Sequence, residues 1–294
     1  MTNGKTIQVF LMDGEPSQRI KCTLQNWTGI VYKIPRTMLN ECKDGRGDIV
    51  KHLKQTGIYF LLGQNADTGN NSIYIGQAVV RKNGEGLLYR INEHKRNNKE
   101  RYWNDWNEVM ILTTQNNSFG PTEISYLENQ FSELAKKANR YEILNSNDPN
   151  QGNVTEEKES ELLEYIEYAR MIIGVMGHVV FEPMIKPKIE EHISMPTNQT
   201  FNYSGKFNAK GVLTSEGFVL LKNSEISATI KSSAREFIVK ARKQYQNKIF
   251  DCHTDEDILF SSPSAAASFV GGCSLSGNAM WRTDDGKSPK DFNF

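Results

Sequence analysis

The sequence has few of the residues and patterns that mark secreted, metal-stapled or membrane proteins. Its four cysteines are far apart and form no C-x-x-C pair, and its five histidines are scattered, so neither a disulfide framework nor a zinc-ligand spacing is present. No apolar run approaches the ~18 residues that cross a membrane, and the N-terminus shows no charged segment followed by an apolar one. These absences predict a soluble, cytoplasmic protein without a membrane partner.

The sequence also carries no net charge. The 35 Lys and Arg residues balance 35 Asp and Glu residues, so no overall basic field indicates a nucleic-acid partner. The balance hides two basic zones: residues 79–103 carry seven basic against three acidic side chains, and residues 200–250 carry nine against three. Such zones suit a phosphate-binding surface, and solvated faces without a partner account for them equally well.

The length and composition predict a globular chain with more than one domain. At 294 residues, with 38% hydrophobic and 24% charged residues, the chain can bury a large core. Residues 146–160 and 184–200 have the composition of linkers. Strand-like runs and helical stretches both occur along the rest of the chain, and the predicted fold class is α+β.

Residues 57–76 carry the strongest local pattern. Two short apolar runs, 57–63 and 73–76, are rich in β-branched and aromatic residues, and nearly all residues between them are turn formers. This pattern predicts a β-hairpin with a loop longer than the two-residue minimum. Tyr59 and Tyr74 lie in its two strands, and they are either ordinary strand aromatics or functional phenols.

A helix is predicted for residues 87–99, after a basic, glycine-containing loop at 79–86. Arg90 and His94 are four residues apart and therefore project from one face of this helix. Together they suit a phosphate clamp combined with a group that transfers or orients a proton. Two solvent-facing polar residues are the ordinary alternative.

Two further elements follow this helix. Residues 109–114 form a short apolar run that predicts a third strand, and Pro121 begins a helix predicted to run to about Ala138. Glu128 lies at the edge of the apolar stripe of that helix, where it is either a rim charge or a metal ligand. A strand-like piece after the helix ends in Asn145.

The order of these elements resembles the whole module of the GIY-YIG nuclease family, over about residues 55–147. The residues that match the family pattern in order and spacing are Gly57-Ile58-Tyr59, Tyr74-Ile75-Gly76, Arg90, His94, Glu128 and Asn145. The resemblance implies a small mixed or antiparallel three-stranded sheet flanked by helices. It also implies a metal-dependent endonuclease that hydrolyses the phosphodiester bonds of DNA.

The resemblance implies a catalytic role for the tyrosines and for the Arg–His pair. Tyr59 would be the base that activates water, with its proton affinity lowered by its neighbours. Arg90 would bind the scissile phosphate and stabilise the charge that develops on it. Tyr74 and His94 would orient the water and the phosphate.

One carboxylate without a second acidic partner nearby argues for a single metal site. Glu128 would be the protein ligand of one Mg²⁺ or Mn²⁺ ion, with water and phosphate oxygens completing the coordination. Asn145 would hold the metal-bearing helix or the hydrogen bonds of the site. Some family members carry a further His or Lys that assists the first tyrosine; no matching His follows His94, and Lys82 is a candidate substitute.

The flanking segments complete the predicted organisation. Residues 1–54 form a β-containing N-terminal extension, and residues 148–200 form a helix and linker. Residues 201–294 form a small α+β domain, whose Ser-Pro-Ser-Ala-Ala-Ala and Asn-x-x-Trp pieces are its most specific parts. This domain resembles the domain of unknown function DUF4357 and the related module associated with restriction enzymes and adenine methylases.

The predicted function is DNA cleavage, with Lys82, Arg96 and Lys99 contacting the DNA. The alternative is a DNA-binding protein that does not cleave, and that grips backbone phosphates with its basic C-terminal domain. A third interpretation makes that domain a protein-interaction or oligomerisation module. The oligomeric state is left open by the sequence.

Overall fold

The computed structural model describes residues 4–43, 47–96, 106–185, 199–232 and 234–292. The chain divides into two compact units, residues 1–183 and residues 184–294. Each unit combines strands and helices around a hydrophobic core of its own. The predicted α+β class, with a β-containing N-terminal extension and a C-terminal domain, is confirmed.

The first unit is built on one sheet. Its strands are β1 Ile7–Leu11, β2 Ile20–Leu24, β3 Gly29–Pro35, β4 Gly57–Gln64, β5 Asn71–Ala78, β6 Trp106–Thr114 and β7 Glu142–Ile143. Among the described residues the strand order is β1-β2-β3-β6-β4-β5-β7. All neighbouring strands are antiparallel except β5 and β7, which are parallel.

Helices cover both faces of this sheet. They are α1 Asp48–His52, α2 Leu87–Arg96, α3 Pro121–Ala138 and α4 Glu156–Val175, with 3-10 turns at Arg36–Met38 and Asn40–Cys42. Successive residues of a strand face opposite sides. Ile58 and Phe60 of β4 therefore pack with α3 and α4, whereas Tyr59 and Leu61 pack with α1 and α2.

The predicted three-stranded sheet forms one part of this larger one. The three predicted strands are β6, β4 and β5, which lie side by side in that order. The sheet is wider because β3 pairs along its whole length with β6. The strand β2 was missing from the prediction: its alternating pattern, with Lys21 and Thr23 half-buried, spans five residues and is too short to separate from an irregular segment.

Residues 177–183 form turns. Gly177 has a φ of +95°, a backbone conformation that interrupts an extended run. Val180 and Phe181 are buried, and the ring of Phe181 lies 5.1 Å from that of Phe60 and 5.0 Å from that of Phe131. The apolar residues of this segment are buried in the core and do not pair as a strand.

Among its described residues, the second unit has a smaller sheet with three helices. Its elements are β8 Thr200–Tyr203, β9 Lys210–Thr214, β10 Gly217–Leu220, α5 Glu236–Gln244, β11 Ile249–Phe250, β12 His253–Thr254, β13 Ile258–Phe260, α6 Pro263–Gly271, α7 Gly277–Met280 and β14 Trp281–Arg282. Strands β13-β10-β9-β8-β14 form one sheet, and β11 pairs with β12. Among the described helices of both units, none is long and apolar enough to cross a membrane.

The two most specific sequence pieces of the second unit contact each other in its core. Trp281 is fully buried, and its indole N–H donates to the carbonyl oxygen of Pro263 over 2.9 Å. The hydroxyl of Ser264 accepts the N–H of Gly277 over 2.9 Å. The Ser-Pro-Ser start of α6 and the Asn-x-x-Trp segment therefore form one hydrogen-bonded structure.

Candidate active site

Two glycines allow the strands that carry Tyr59 and Tyr74 to approach their neighbours. A Cβ placed on Gly57 would lie 2.3 Å from the carbonyl oxygen of Leu112 on β6. A Cβ placed on Gly76 would lie 2.4 Å from both Cζ and Oη of Tyr59, its partner across the β4–β5 pair. No larger residue fits at either place without movement of its neighbours, so both glycines are needed for close packing.

Helix α2 brings His94 onto the tyrosines. The helix is anchored at its start, where the N–H of Leu87 donates to the carbonyl oxygen of Gln55 over 3.2 Å. Nε2 of His94 then lies 2.6 Å from Oη of Tyr59. The imidazole centroid also lies 5.1 Å from the ring centroid of Tyr74. Three rings from two strands and one helix therefore meet at one place.

Burial sets the protonation of the Tyr59–His94 pair. Burial lowers the pKa of His94 to about 4, so the imidazole is neutral near pH 7. Burial also raises the pKa of Tyr59 well above 10, and the nearby positive charge of Arg90 opposes this only in part. The neighbour Arg90 thus lowers the pKa of Tyr59, in the direction that the resemblance implies, but removal from water raises it by more.

Arg90 is held at the rim of this cluster by a carboxylate that the sequence analysis did not single out. Oε2 of Glu93 accepts from Arg90 over 3.0 Å and from Arg81 over 2.8 Å. The side chain of Arg90 remains 42% exposed, so the guanidinium faces solvent as well as Tyr59. The signal was present in the sequence, since Glu93 is three residues from Arg90 on the same helix.

Glu128 is oriented by a second residue that the sequence analysis missed. Nε2 of Gln77 donates to Oε2 of Glu128 over 2.8 Å. Burial raises the pKa of Glu128, while this hydrogen bond and the charge of Arg90 lower it by less. Alternation along β5 places Gln77 on the side of Ile75, which packs against α3, and this alternation was the available signal.

The tyrosines and Glu128 lie on opposite faces of the sheet near its edge. Tyr59 packs with α2, whereas the helix of Glu128 packs on the other face. Within the described residues β7 pairs with Ser72 and Ile73 alone, so the second half of β5 forms an edge. The charge of Glu128 acts on the phenol of Tyr59, so the two groups lie within electrostatic reach of each other.

Asn145 contacts the backbone of β5 rather than the side chains of the candidate site. Its Oδ1 accepts the N–H of Ile75 over 3.0 Å, and its Nδ2 donates to the carbonyl oxygen of Ile75 over 2.7 Å. The side chain thus continues the β7–β5 ladder by one residue. Its place in the structure is that of a positioning residue for the segment from Tyr74 to Gly76.

The donor set at Glu128 fits a single hard cation that completes its coordination with other ligands. Among the described residues no group of three or more His, Cys, Asp or Glu could hold a metal ion. Glu128 is a partly buried carboxylate whose hydrogen-bonding partner is a neutral amide. An ion such as Mg²⁺ prefers one or two carboxylates together with water and phosphate oxygens.

The residues predicted to contact DNA are only partly described. Lys82 is exposed in the loop between β5 and α2. Arg96 is the last residue of α2, and Lys99 lies outside the described residues. Beside Lys82, the guanidinium of Arg81 lies 4.5 Å from the ring centroid of Tyr89 and contacts Glu93.

The basic zone of the second unit is less available than its sequence suggests. Arg242 donates to the carbonyl oxygens of Phe269 and Ser227, so it holds the fold of the unit together. Lys222 and Lys248 form ion pairs with acidic side chains. Part of the predicted phosphate-binding charge is therefore engaged within the protein.

The family comparison concerns the second unit. Residues 200–293 match the family described as Domain of unknown function (DUF4357). The second unit therefore contains a DUF4357 domain, which confirms the resemblance to that family predicted for residues 201–294. No curated protein matches the chain, and no solved structure matches it.

Proposed function

We propose that the first unit is a metal-dependent DNA endonuclease of the GIY-YIG type, which hydrolyses phosphodiester bonds. The observation that carries the proposal is the buried Tyr59–His94 hydrogen bond beside the half-exposed guanidinium of Arg90. Glu128 lies within electrostatic reach of both Arg90 and Tyr59. A phenol, a neutral imidazole, a guanidinium and a carboxylate together supply what hydrolysis of a phosphodiester requires.

Arg90 is the phosphate-binding group in this proposal. The side chain of Arg90 is exposed enough to reach a ligand, and the carboxylate of Glu93 holds the guanidinium in place with a hydrogen bond. A guanidinium forms two parallel hydrogen bonds to phosphate oxygens and stabilises negative charge on them. Arg90, on α2, therefore holds the scissile phosphate on the face of the sheet that carries Tyr59.

Tyr59 acts as a proton relay rather than as a resident phenolate. The attacking water loses a proton to Oη of Tyr59 while the phenolic proton passes to Nε2 of His94, 2.6 Å away. The water oxygen forms the new bond to phosphorus, and the bond to the leaving oxygen breaks with its electron pair on that oxygen, which takes a proton from solvent. The negative charge of a bound phosphate raises the pKa of His94 from its value of about 4, which favours this transfer.

Glu128 is the residue that would hold Mg²⁺ or Mn²⁺. A divalent ion supplies charge neutralisation on the phosphoryl oxygens and on the leaving oxygen when it is bound. Gln77 keeps one carboxylate oxygen in place with its 2.8 Å hydrogen bond. Asn145 holds Tyr74 and Gly76 in register through its bonds to Ile75.

Nicking of supercoiled plasmid DNA in the presence of Mg²⁺ tests the proposal. Arg90→Ala and Glu128→Ala are each expected to lower the rate by at least about 100-fold. Glu133→Ala, on the same helix as Glu128 and paired with Lys136 at the surface, is the matched control and is expected to keep full activity. Unimpaired cleavage by folded Arg90→Ala or Glu128→Ala protein would overturn the assignment of that residue.

The second candidate function is DNA binding without cleavage by the second unit. The observation in its favour is α5, which exposes Phe237 and Val239 beside Lys240. Under this function, binding of duplex DNA persists without metal and weakens steeply with salt. The absence of nicks on supercoiled, linear, branched and modified DNA with Mg²⁺ would favour it over cleavage.

A further inference from the structure

The first unit has a polar groove beside β1, β2 and α1, apart from the tyrosine site. Its volume is about 840 Å³. Its polar and aromatic lining consists of the ring of Phe10, two lysines, two amides, one imidazole and one carboxylate, from Lys21, Lys51, Gln8, Gln115, His52 and Asp48. None of these residues belongs to the tyrosine site.

Phe10 is the most unusual residue of this groove. It lies on the edge strand β1 and is 62% exposed, although large aromatic side chains are ordinarily buried. It pairs across the strands with Lys21, so the ring and the ammonium group lie on the same face of the sheet. An exposed ring on a strand next to a lysine is a platform on which a planar ligand stacks.

The floor of the groove repeats the tyrosine–histidine arrangement of the candidate active site. Oη of Tyr32 lies 2.7 Å from Nδ1 of His52, and both side chains are buried. Lys21 faces Asp48, whose exposed carboxylate lies 3.5 Å from Nζ. Lys51 adds a second positive charge at the rim, so the groove carries an excess of cationic groups.

The groove and the tyrosine site lie on one face of the same sheet. The register pairs Phe10 with Lys21, Lys21 with Tyr32, Tyr32 with Ile111, and Ile111 with Tyr59. These residues form one row across five strands. At ~4.8 Å between strands, Phe10 lies about 19 Å from Tyr59, which leaves the two sites separate but within the span of one nucleic-acid ligand.

We propose that this groove binds single-stranded DNA that flanks the cleaved bond. The inference rests on the proposed function, which supplies DNA as the substrate. Bases stack on exposed aromatic rings, and lysines track the backbone phosphates, in sites that bind single strands without sequence preference. The bases of an intact duplex are already stacked on each other, so the ring of Phe10 selects an unpaired segment.

Binding of fluorescein-labelled oligo(dT) to the full chain tests the groove. With EDTA present and an oligonucleotide of about 12 residues, Phe10→Ala is expected to weaken binding about tenfold, the effect of one lost stacking contact. Phe10→Trp is expected to retain binding because it keeps a ring. Phe10→Leu is expected to behave like Phe10→Ala because it keeps apolar bulk alone.

Salt dependence tests the two lysines. The Lys21→Ala, Lys51→Ala double variant is expected to reduce the slope of log affinity against log salt by about 1.4, because each contact with a single-strand phosphate contributes about 0.7. Asp48→Asn is expected to tighten binding, since it removes the anion beside Lys21. Val175→Ala is the matched control, as an exposed apolar residue on α4 on the other face of the sheet.

Three results would overturn the groove assignment. The first is oligo(dT) binding that Phe10→Ala does not affect. The second is oligo(dT) binding that is no tighter than the binding of a blunt duplex. The third is a dimer of the parent protein that Phe10→Ala converts to a monomer without loss of oligo(dT) binding. The last result would assign the edge of β1 to a second copy of the chain. Binding is measured in EDTA and cleavage in Mg²⁺, so the two results are independent. Binding that depends on Phe10, together with no cleavage of any DNA in Mg²⁺, would overturn the proposed function and leave the groove assignment standing.

Discussion

Gly76 provides the space that the phenol ring of Tyr59 occupies. The two residues face each other across the β4–β5 pair, and a Cβ on Gly76 would come within 2.4 Å of the Tyr59 hydroxyl. The same hydroxyl lies 2.6 Å from Nε2 of His94. The glycine of the second strand thus determines where the tyrosine of the first strand can place its oxygen.

Gly76→Ala is expected to displace the Tyr59 ring and to break its hydrogen bond to His94. The added methyl has no room, because the atoms it meets belong to a fully buried ring. The expected loss in the free energy of unfolding is about 1–3 kcal/mol, and DNA nicking should fall with it. Urea denaturation and the plasmid assay measure the two effects.

Gly174→Ala is the control for this substitution. Gly174 lies in α4, and a Cβ there would meet nothing within 4 Å. Alanine favours a helix over glycine, so this variant is expected to be as stable as the parent or more stable by up to about 1 kcal/mol. Equal stability of Gly76→Ala and the parent protein would contradict the packing argument.

The stability of the first unit is expected to depend on His94 below neutral pH. Its pKa is about 4 in the folded chain, against 6.5 when unfolded. Between these values the unfolded chain binds a proton that the folded chain does not, so the free energy of unfolding falls as the pH is lowered. The contribution is fully present above the unfolded value, and about 2 kcal/mol of it is lost by a pH of about 5.

Urea denaturation across this pH range measures the effect. The side chain introduced by His94→Gln does not titrate, and its amide oxygen is able to accept a hydrogen bond from the Tyr59 hydroxyl. The free energy of unfolding of this variant should therefore vary less than that of the parent between about pH 7.5 and 5. His253→Gln, at an exposed position in the second unit, should keep the pH dependence of the parent. Identical pH profiles for His94→Gln and the parent would show that His94 does not have the lowered pKa.

Strong local signals allowed several elements to be predicted from the sequence. Helix α3 runs from Pro121 to Ala138, as the proline near its start and its apolar spacing predict. Both hairpin strands form, and Arg90 and His94 share a helix. These features depend on residues close together in the chain, where backbone preference and side-chain period act directly.

The remaining features depend on contacts between distant residues. Gln77 and Glu128 are 51 residues apart. Alternation along β5 predicts the face of Gln77, but the hydrogen bond also requires α3 to pack on that face, which is a property of the assembled fold. In the pKa of Tyr59, burial outweighs the opposing charge of Arg90, and burial is a property of the assembled core. The width of the sheet likewise depends on the pairing of β3 with β6.

Asn145→Ala is expected to loosen the second half of β5. The substitution removes two hydrogen bonds to the backbone of Ile75, at about 1–3 kcal/mol in the free energy of unfolding. Asn145→Asp keeps the acceptor for the Ile75 N–H but places an anion against the Ile75 carbonyl oxygen, so it should be at least as damaging. Hydrogen exchange at the amide of Ile75 measures both variants, and unchanged protection in Asn145→Ala would show that the side chain does not position the strand.

Trp281→Phe is expected to destabilise the second unit while leaving the tyrosine site intact. The substitution removes the indole N–H that Pro263 accepts and leaves a buried carbonyl oxygen without that donor. It also leaves a cavity in a core where Trp281 packs against Phe218 and Tyr203, so the combined loss is expected to be about 2–4 kcal/mol. Site-resolved hydrogen exchange should show lower protection in β8, β9 and β10, with β4 and β5 unchanged.

Phe237→Leu, at an exposed position on α5, is the control and should stay within about 0.5 kcal/mol of the parent. Protection of β8, β9 and β10 that is equal in Trp281→Phe and Phe237→Leu would show that the Pro263–Trp281 bond does not hold the DUF4357 domain together.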